Sequence, residues 1–215
     1  MKRQKMPFWH LMAALAISIW AVATQPAAAA DISALLARAA AADKGGDPAA
    51  TIKALEEALE SVRAAAPLIV KPFVLVTRPA KFYGDLVPRA DAVFGGGEAQ
   101  QFYMEPKNLV YPRTAKGTYE PAFEVDLRIL TAAGKILVSQ DRFGSFRLPT
   151  KSAVQDLFLN LKVTLSGAPA GEYNVRFVVR DLNSKKTATV AQAPASSMPM
   201  EPLQTIALVA IRLTR

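Results

Sequence analysis

The chain has no cysteine, and its one histidine is His10. Without cysteine there is no disulfide, so the fold must be held by its core. Without histidine or cysteine beyond residue 30, the rest of the chain has no Ser-His-Asp triad, no cysteine nucleophile, and no typical zinc or copper ligand set. Ser-Lys or carboxylate-only catalysis remains chemically open. Lys151-Ser152, however, are adjacent rather than spaced for a dyad, and they read as loop. No catalytic residue, metal ligand or cofactor is expected.

Long apolar runs are also scarce. Phe8 to Val22 is mostly apolar, behind the basic Lys2, Arg3 and Lys5 and ahead of Ala27-Ala28-Ala29-Ala30. Charge, apolar stretch and small-residue site in that order are the signature of a secretory signal peptide. The run is short of the roughly 20 apolar residues a transmembrane helix needs. Residues 1–30 are therefore expected to be removed before Asp31, leaving no stable membrane span. An uncleaved anchor is the alternative. The last apolar stretch, Leu203 to Leu213, is shorter still and ends among Arg212 and Arg215. A periplasmic or secreted location follows.

A basic stripe is missing as well. The 26 Lys and Arg against 18 Asp and Glu give +8. Loss of Lys2, Arg3 and Lys5 leaves 23 against 18, or +5. The charges are interspersed, and the adjacent pair Lys185-Lys186 falls in a turn. Nucleic-acid binding wants a basic cluster with interleaved aromatics, so no nucleic-acid partner is expected. About 185 residues remain after the signal, enough to bury a core without staples.

Asp31 to Ala66 is alanine-rich with helical spacing. A helix is expected from Ile32 to Ala42, broken at Lys44-Gly45-Gly46. Asp47 as N-cap with Pro48 in the first turn starts a second, which Pro67 ends. Ile52, Leu55, Leu59 and Val62 share one face, expected to pack on the domain or on a partner. Glu56, Glu57 and Glu60 argue against a membrane-surface helix.

From Leu68 the period changes to two. Leu68–Thr77, Gln100–Met104 and Phe123–Ile129 read as strands. Ala132-Ala133-Gly134-Lys135 reads as a hairpin turn into Ile136–Gln140, with Phe143–Leu148 extending that strand or forming another edge. Leu157, Leu159, Leu161, Val163 and Leu165 alternate with Phe158, Asn160, Lys162 and Thr164. Tyr173, Val175, Phe177 and Val179 form a similar strand, and Thr187–Ala191 begins another. With no helices between strands, a parallel βαβ sheet is disfavoured. The fold expected is mainly β: an immunoglobulin-like antiparallel sandwich over 68–191, preceded by a helical segment over 31–66. Residues 192–215 are expected to be a proline-rich linker and a final strand. Glu124 and Asp126 read as the solvated face of a half-buried strand, and Met198-Pro199-Met200 and Gly95-Gly96-Gly97 as loops.

Gly167-Ala168-Pro169-Ala170-Gly171-Glu172-Tyr173, running to Arg180-Asp181-Leu182-Asn183-Ser184-Lys185, resembles the terminal hairpin of many bacterial immunoglobulin-like domains. These carry a G-x-P-x-G-x-Y turn into a strand and a D-x-x-S-G-K turn out of it. Phe94-Gly95-Gly96-Gly97-Glu98 with Phe102-Tyr103-Met104-Glu105-Pro106 looks like the leading strand of the same group, uncharacterised bacterial secreted proteins with an Ig-like or macroglobulin-like sandwich. The resemblance covers about Leu68 to Ala191. It implies that sandwich and no activity. After Thr189 a proline-rich stretch replaces the usual direct run into the last strand.

One cluster suggests recognition. Phe82, Tyr83, Arg89, Phe94, Phe102, Tyr103, Glu105 and Tyr111 crowd a loop-rich stretch. Tyr83, Arg89, Tyr103, Glu105 and Tyr111 are the candidate ligand-binding residues, for a peptide or glycan docked at one end of the sandwich. The alternative is that the rings fill the core. The function expected is an exported, non-catalytic binding or structural module of the cell envelope, its partner an envelope protein or glycan. The alternative function is an accessory subunit or inhibitor of an envelope enzyme or secretion system.

Intact-mass analysis of protein recovered from the envelope should give a chain beginning at Asp31. A mass that retains Met1 to Ala30 would identify an anchored protein instead.

Overall fold

The computed structural model describes residues 31–153 and 155–192, with the backbone of 195–197 and 211–213. Two helices lead, α1 (Ile32–Lys44) and α2 (Pro48–Ala65). Each starts on an aspartate. The Asp31 carboxylate accepts from Ser33 N at 2.9 Å, and that of Asp47 from Ala50 N at 3.0 Å. Both satisfy helix-start N–H groups that would otherwise lack partners. The two helices pack on each other through Leu35, Ala39, Ala54 and Ala58, all buried. The α2 face expected to pack on the domain or on a partner is not covered within one copy. Alanine at 54 and 58 lets the helix axes approach, whereas Ile52, Leu55, Leu59 and Val62 stay between 45% and 57% exposed. The C-terminal end of α2 is tied to the β layer by Lys186, whose Nζ donates to the Arg63 and Asn108 carbonyls at 3.0 Å each. A cation there meets the partial negative charge of the helix end.

Among the described residues ten strands follow: β1 (Ile69–Val76), β2 (Val93–Phe94), β3 (Ala99–Lys107), β4 (Ala122–Thr131), β5 (Ile136–Arg147), β6 (Leu157–Thr164), β7 (Gly171–Asp181), β8 (Thr187–Ala191), β9 (Ala195–Ser197) and β10 (Ile211–Leu213). One sheet has the order β1-β3-β6-β10. The other runs β2-β9-β7-β4-β5, with β8 also paired to β7. Every pair is antiparallel except β2 with β9, which is parallel. Among the described residues no helix is long and apolar enough to cross a membrane.

The two sheets close on one core. Phe102, Met104, Leu157, Leu159, Leu161 and Val163 meet Phe123, Val125, Leu127, Ile129, Val175, Phe177 and Val179 from the facing sheet. Phe102 stacks on Phe73 at 5.6 Å and meets the edge of Phe177 at 5.3 Å. These are favourable offset and edge-to-face aromatic geometries.

The period-two pattern therefore holds, with two differences. Phe143–Arg147 belongs to β5, which stays one strand by bulging at Arg142 (φ 52°), whose N–H donates to the buried Asp126 carboxylate at 2.8 Å. Arg180 pairs with both Asp126 and Glu124, at 2.6 and 3.0 Å. Asp126 is thus not on a freely solvated face. Second, Ala195–Ser197, inside the stretch read as a linker, is a strand that bridges β2 and β7. Ile211–Leu213 pairs with β6, while the remainder of 198–215 and residues 1–30 lie outside the described residues.

The turn motifs have physical roles. Tyr173 Oη donates to the Pro169 carbonyl at 2.6 Å, closing the turn before β7. The Asp181 carboxylate accepts from Val110 N, Asn183 N and Ser184 Oγ, fixing the turn after it. In the 132–135 turn Gly134 takes φ 83°, a conformation costly for a residue with a Cβ.

Leu161 is 1% exposed, and Lys162 points to the other face and is half-buried. Leu161→Ala should cost about 2–5 kcal/mol in urea unfolding. Lys162→Ala should change stability by less than roughly 0.5 kcal/mol. Equal losses would mean that the register of β6 is wrong.

Candidate functional site

Alternation would leave Tyr103, Glu105, Phe158 and Asn160 on the outer face of the β1-β3-β6 sheet. All four are nonetheless buried. The cover is a strap, residues 77–92, which leaves β1, crosses this face and returns along the β1 edge. Thr77 N donates to the Val87 carbonyl at 3.0 Å and Arg89 N to that of Leu75 at 2.9 Å. Val76, Ala80, Tyr103 and Phe158 form a second small core beneath it, with Tyr103 stacked on Phe158 at 5.6 Å. The strap also occupies part of an otherwise open strand edge, which discourages edge-to-edge pairing.

Three polar anchors hold the strap. Asn160 accepts from Ala80 N at 2.8 Å and donates to the Ala80 carbonyl at 2.9 Å. Its amide thus acts as the backbone of a neighbouring strand would. Tyr103 Oη accepts from Gly84 N at 2.8 Å and donates to Glu105 at 2.6 Å. Lys107 lies 2.7 Å from Glu105, donates to the Tyr83 hydroxyl and sits 4.7 Å from the Tyr83 ring centroid. Within the strap, Arg78 grips Asp85 through two nitrogens, at 2.6 and 2.8 Å. A bidentate charge-assisted pair of this kind fixes geometry as well as charge. Above the anchors Phe82 and Val87 face solvent, 53% and 42% exposed.

The ionisable groups set one another. Burial pushes the Glu105 carboxyl up, but hydrogen bonds from Lys107, Tyr103 and Tyr83 outweigh it and hold the group below the usual carboxylate range. Burial pulls Lys107 down, and Glu105 and Tyr83 more than restore it. Burial and the bond to Glu105 push the Tyr103 hydroxyl well up. The Arg78 bond, with Lys81 N, holds Asp85 low. Each member keeps its ordinary charge at neutral pH.

Of the five candidate residues, the structure brings together Tyr83, Tyr103 and Glu105. Arg89 stands apart, at the end of the strap. It bonds Glu98 at 2.6 Å, Asp91 at 3.3 Å and the Val93 carbonyl at 2.7 Å, and lies 4.3 Å from the Phe94 ring centroid. It latches the strap to the Gly95–Gly97 loop, where Glu98 also accepts from Gly95 N. Tyr111 packs half-buried against the main core, its hydroxyl pushed up to about 12 by burial and the nearby Asp181. Phe94 and Phe102 fill the core between the sheets, the alternative considered for this cluster. Lys107 and Asn160 were missed. Their signal was present, since a polar side chain in an apolar strand run needs a partner, but the partner lies 80 residues away for Asn160.

Among the described residues no three metal-ligating side chains come together. The Gln100 Oε1, on the face toward the other sheet, is buried without a hydrogen-bond partner.

No protein-family model and no curated protein matches the chain. Among solved structures it is similar to a Niemann-Pick type C2 protein from Japanese carpenter ant, with TM-score 0.36 and 10% identity, over 61% of this chain and 93% of that one. It is similar to the alkylpurine DNA glycosylase AlkC of Pseudomonas fluorescens, bound to DNA containing an abasic site analogue, with TM-score 0.31 and 9% identity, over 70% and 38%. It is also similar to Spo0M, a sporulation control protein of Bacillus subtilis, with TM-score 0.28 and 9% identity, over 63% and 51%. These are weak likenesses. At such scores and identities they assign neither a family nor an activity.

The depressed Glu105 carboxyl has a consequence for stability. A carboxyl whose folded pKa lies below its unfolded value adds stability that is present above the unfolded pKa and lost as pH falls through the folded one. The unfolded reference is 4.5. Urea midpoints measured between about pH 6 and pH 3 should therefore fall more steeply for the wild type than for Glu105→Gln. Asp85, Asp91 and Glu98, also held low, add the same slope to both proteins. Parallel profiles would remove Glu105 from the anchoring network.

Proposed function

We propose that the protein is an exported, non-catalytic binding module of the cell envelope, and that the strap over the β1-β3-β6 sheet is its recognition surface. The observation that carries this reading is the form of the strap. It is a loop pinned at Ala80, Gly84 and Tyr83 to a sheet buried on both faces, with Phe82 and Val87 exposed at its crest. Rigid scaffolds presenting aromatic loops suit recognition, because the loop does not have to be ordered on binding. The titratable groups beneath it support a non-catalytic role: acid–base catalysts work best with a pKa near the operating pH, and Glu105, Lys107 and Tyr103 are all held in the opposite direction. The immunoglobulin-like kinship implied by the hairpin motifs agrees with the Tyr173–Pro169 bond, which is placed like the tyrosine corner of many sandwiches.

Phe82 makes no part of either buried core, so Phe82→Ala tests recognition apart from folding. Immobilised wild-type protein should retain an envelope protein or glycan, and Phe82→Ala should lose that retention while its melting temperature stays unchanged. A single stoichiometric protein partner would favour the accessory-subunit reading, and retention of glycan the module. Equal retention by both proteins would place recognition away from the strap.

A further inference from the structure

The helical hairpin carries a second surface, independent of the strap. Ile52, Leu55, Leu59 and Val62 on α2 and Ile32 and Leu36 on α1 are between 38% and 57% exposed. Helical geometry settles where they lie. With 100° between successive residues and the alanine seam turned inward, both sets fall on the same side of the plane through the two antiparallel helices. The Arg38–Glu57 salt bridge, at 2.7 Å, spans the hairpin on the opposite side. The molecule thus has one polar and one apolar hairpin face, and its Leu35–Ala39–Ala54–Ala58 seam is thin.

We infer that this apolar face is a homodimer interface, in which the hairpins of two copies close an antiparallel four-helix bundle. Two observations choose a second copy as the occupant. The first is self-complementarity. The apolar residues of α2 are spaced three, four and three, a pattern symmetric about position 57. A two-fold axis there sets Ile52 against Val62 and Leu55 against Leu59 of the other copy. That match of one patch with itself is the requirement of an isologous interface. The second is area. Six large side chains about half exposed present on the order of 500 Å² per copy, so that a pair buries on the order of 1,000 Å², the size a specific interface needs. The same area on a lone monomer is at the upper end of ordinary apolar patches. Charge disfavours an anionic membrane as the occupant: residues 31–66 hold six acidic side chains against four basic ones.

Full-length protein expressed from Met1 and recovered from the host should sediment at twice the mass of the chain. Leu55→Glu with Leu59→Glu should give a monomer of unchanged helical circular dichroism, since both positions are exposed in the single copy. Glu57→Ala, on the polar face, should leave the dimer intact. The absence of cysteine allows a test of register. Ile52→Cys with Val62→Cys should link two copies under oxidation, because within one helix these positions are about 15 Å apart. Ile52→Cys alone should not link them. A monomeric wild type would overturn the inference, whether the face is then covered by a retained segment 1–30, seen by mass, or by anionic vesicles, seen by flotation. A dimer that survives the double glutamate variant, or links through Ile52→Cys alone, would overturn it equally.

Discussion

Asn160 gives Ala80 both of the hydrogen bonds that a neighbouring strand would give it, 80 residues away in sequence. That exchange is possible only because β3 and β6 are buried on both faces. One face, through Phe102, Met104, Leu159 and Leu161, makes the core between the sheets. The other, through Tyr103 and Phe158, makes the floor of the strap. A polar group placed on that floor cannot turn to water, so it must be paired inside or be left costly. Asn160, Tyr103 and Glu105 are paired, each with a strap residue or with another anchor. The position of the strap therefore follows from which polar residues β3 and β6 carry on the face the alternation assigns to solvent.

The same double burial explains how much of the fold could be read from the residues. Strand alternation at 123–129, 157–165 and 173–179 sorted the main core correctly, because a period of two is a local property. The helix starts at Asp47-Pro48 and the turn at Gly134 were legible for the same reason. The strap was not. It depends on contacts such as Asn160 to Ala80 and Tyr103 to Gly84, which leave no periodic trace. The aromatic cluster was recognised as a group by closeness in sequence, but chain proximity does not decide which side of a sheet a ring occupies. Phe102 and Tyr103 are neighbours and fill different cores. Arg89 and Tyr111 are near the cluster in sequence and belong to other contacts. The helical hairpin is a separate case. The largest apolar residues of α2 were expected to pack on the domain or on a partner; within one copy they stay exposed and alanines make the seam, because small residues allow the closer approach of two helix backbones.

That choice matters for a chain with no disulfides. The sandwich has a large core of its own, whereas the hairpin has four buried side chains and a tether through Lys186. Short isolated helices are marginal in water, and tertiary packing of an amphipathic face supplies most helical stability in proteins. A hairpin with its larger apolar residues turned outward has therefore not completed its packing within one copy. The strap shows the opposite condition: its apolar underside is covered and its polar anchors are paired within one copy.

The two surfaces consequently differ in what binding would change. Under the proposed reading a ligand at the strap would meet a fixed shape, held from beneath by the Glu105–Lys107 pair. Binding there would cost little ordering, and specificity would come from the position of Phe82 on an already fixed loop. At the hairpin, the inferred association would add the burial that the helices lack and so couple helix stability to assembly through mass action. A pair joined through hairpins would carry two straps, and two sites on one particle bind a repetitive polymer or surface more tightly than either site alone. A dimer through the hairpin face would thus give the sandwich a route to avidity that needs no change in the strap itself.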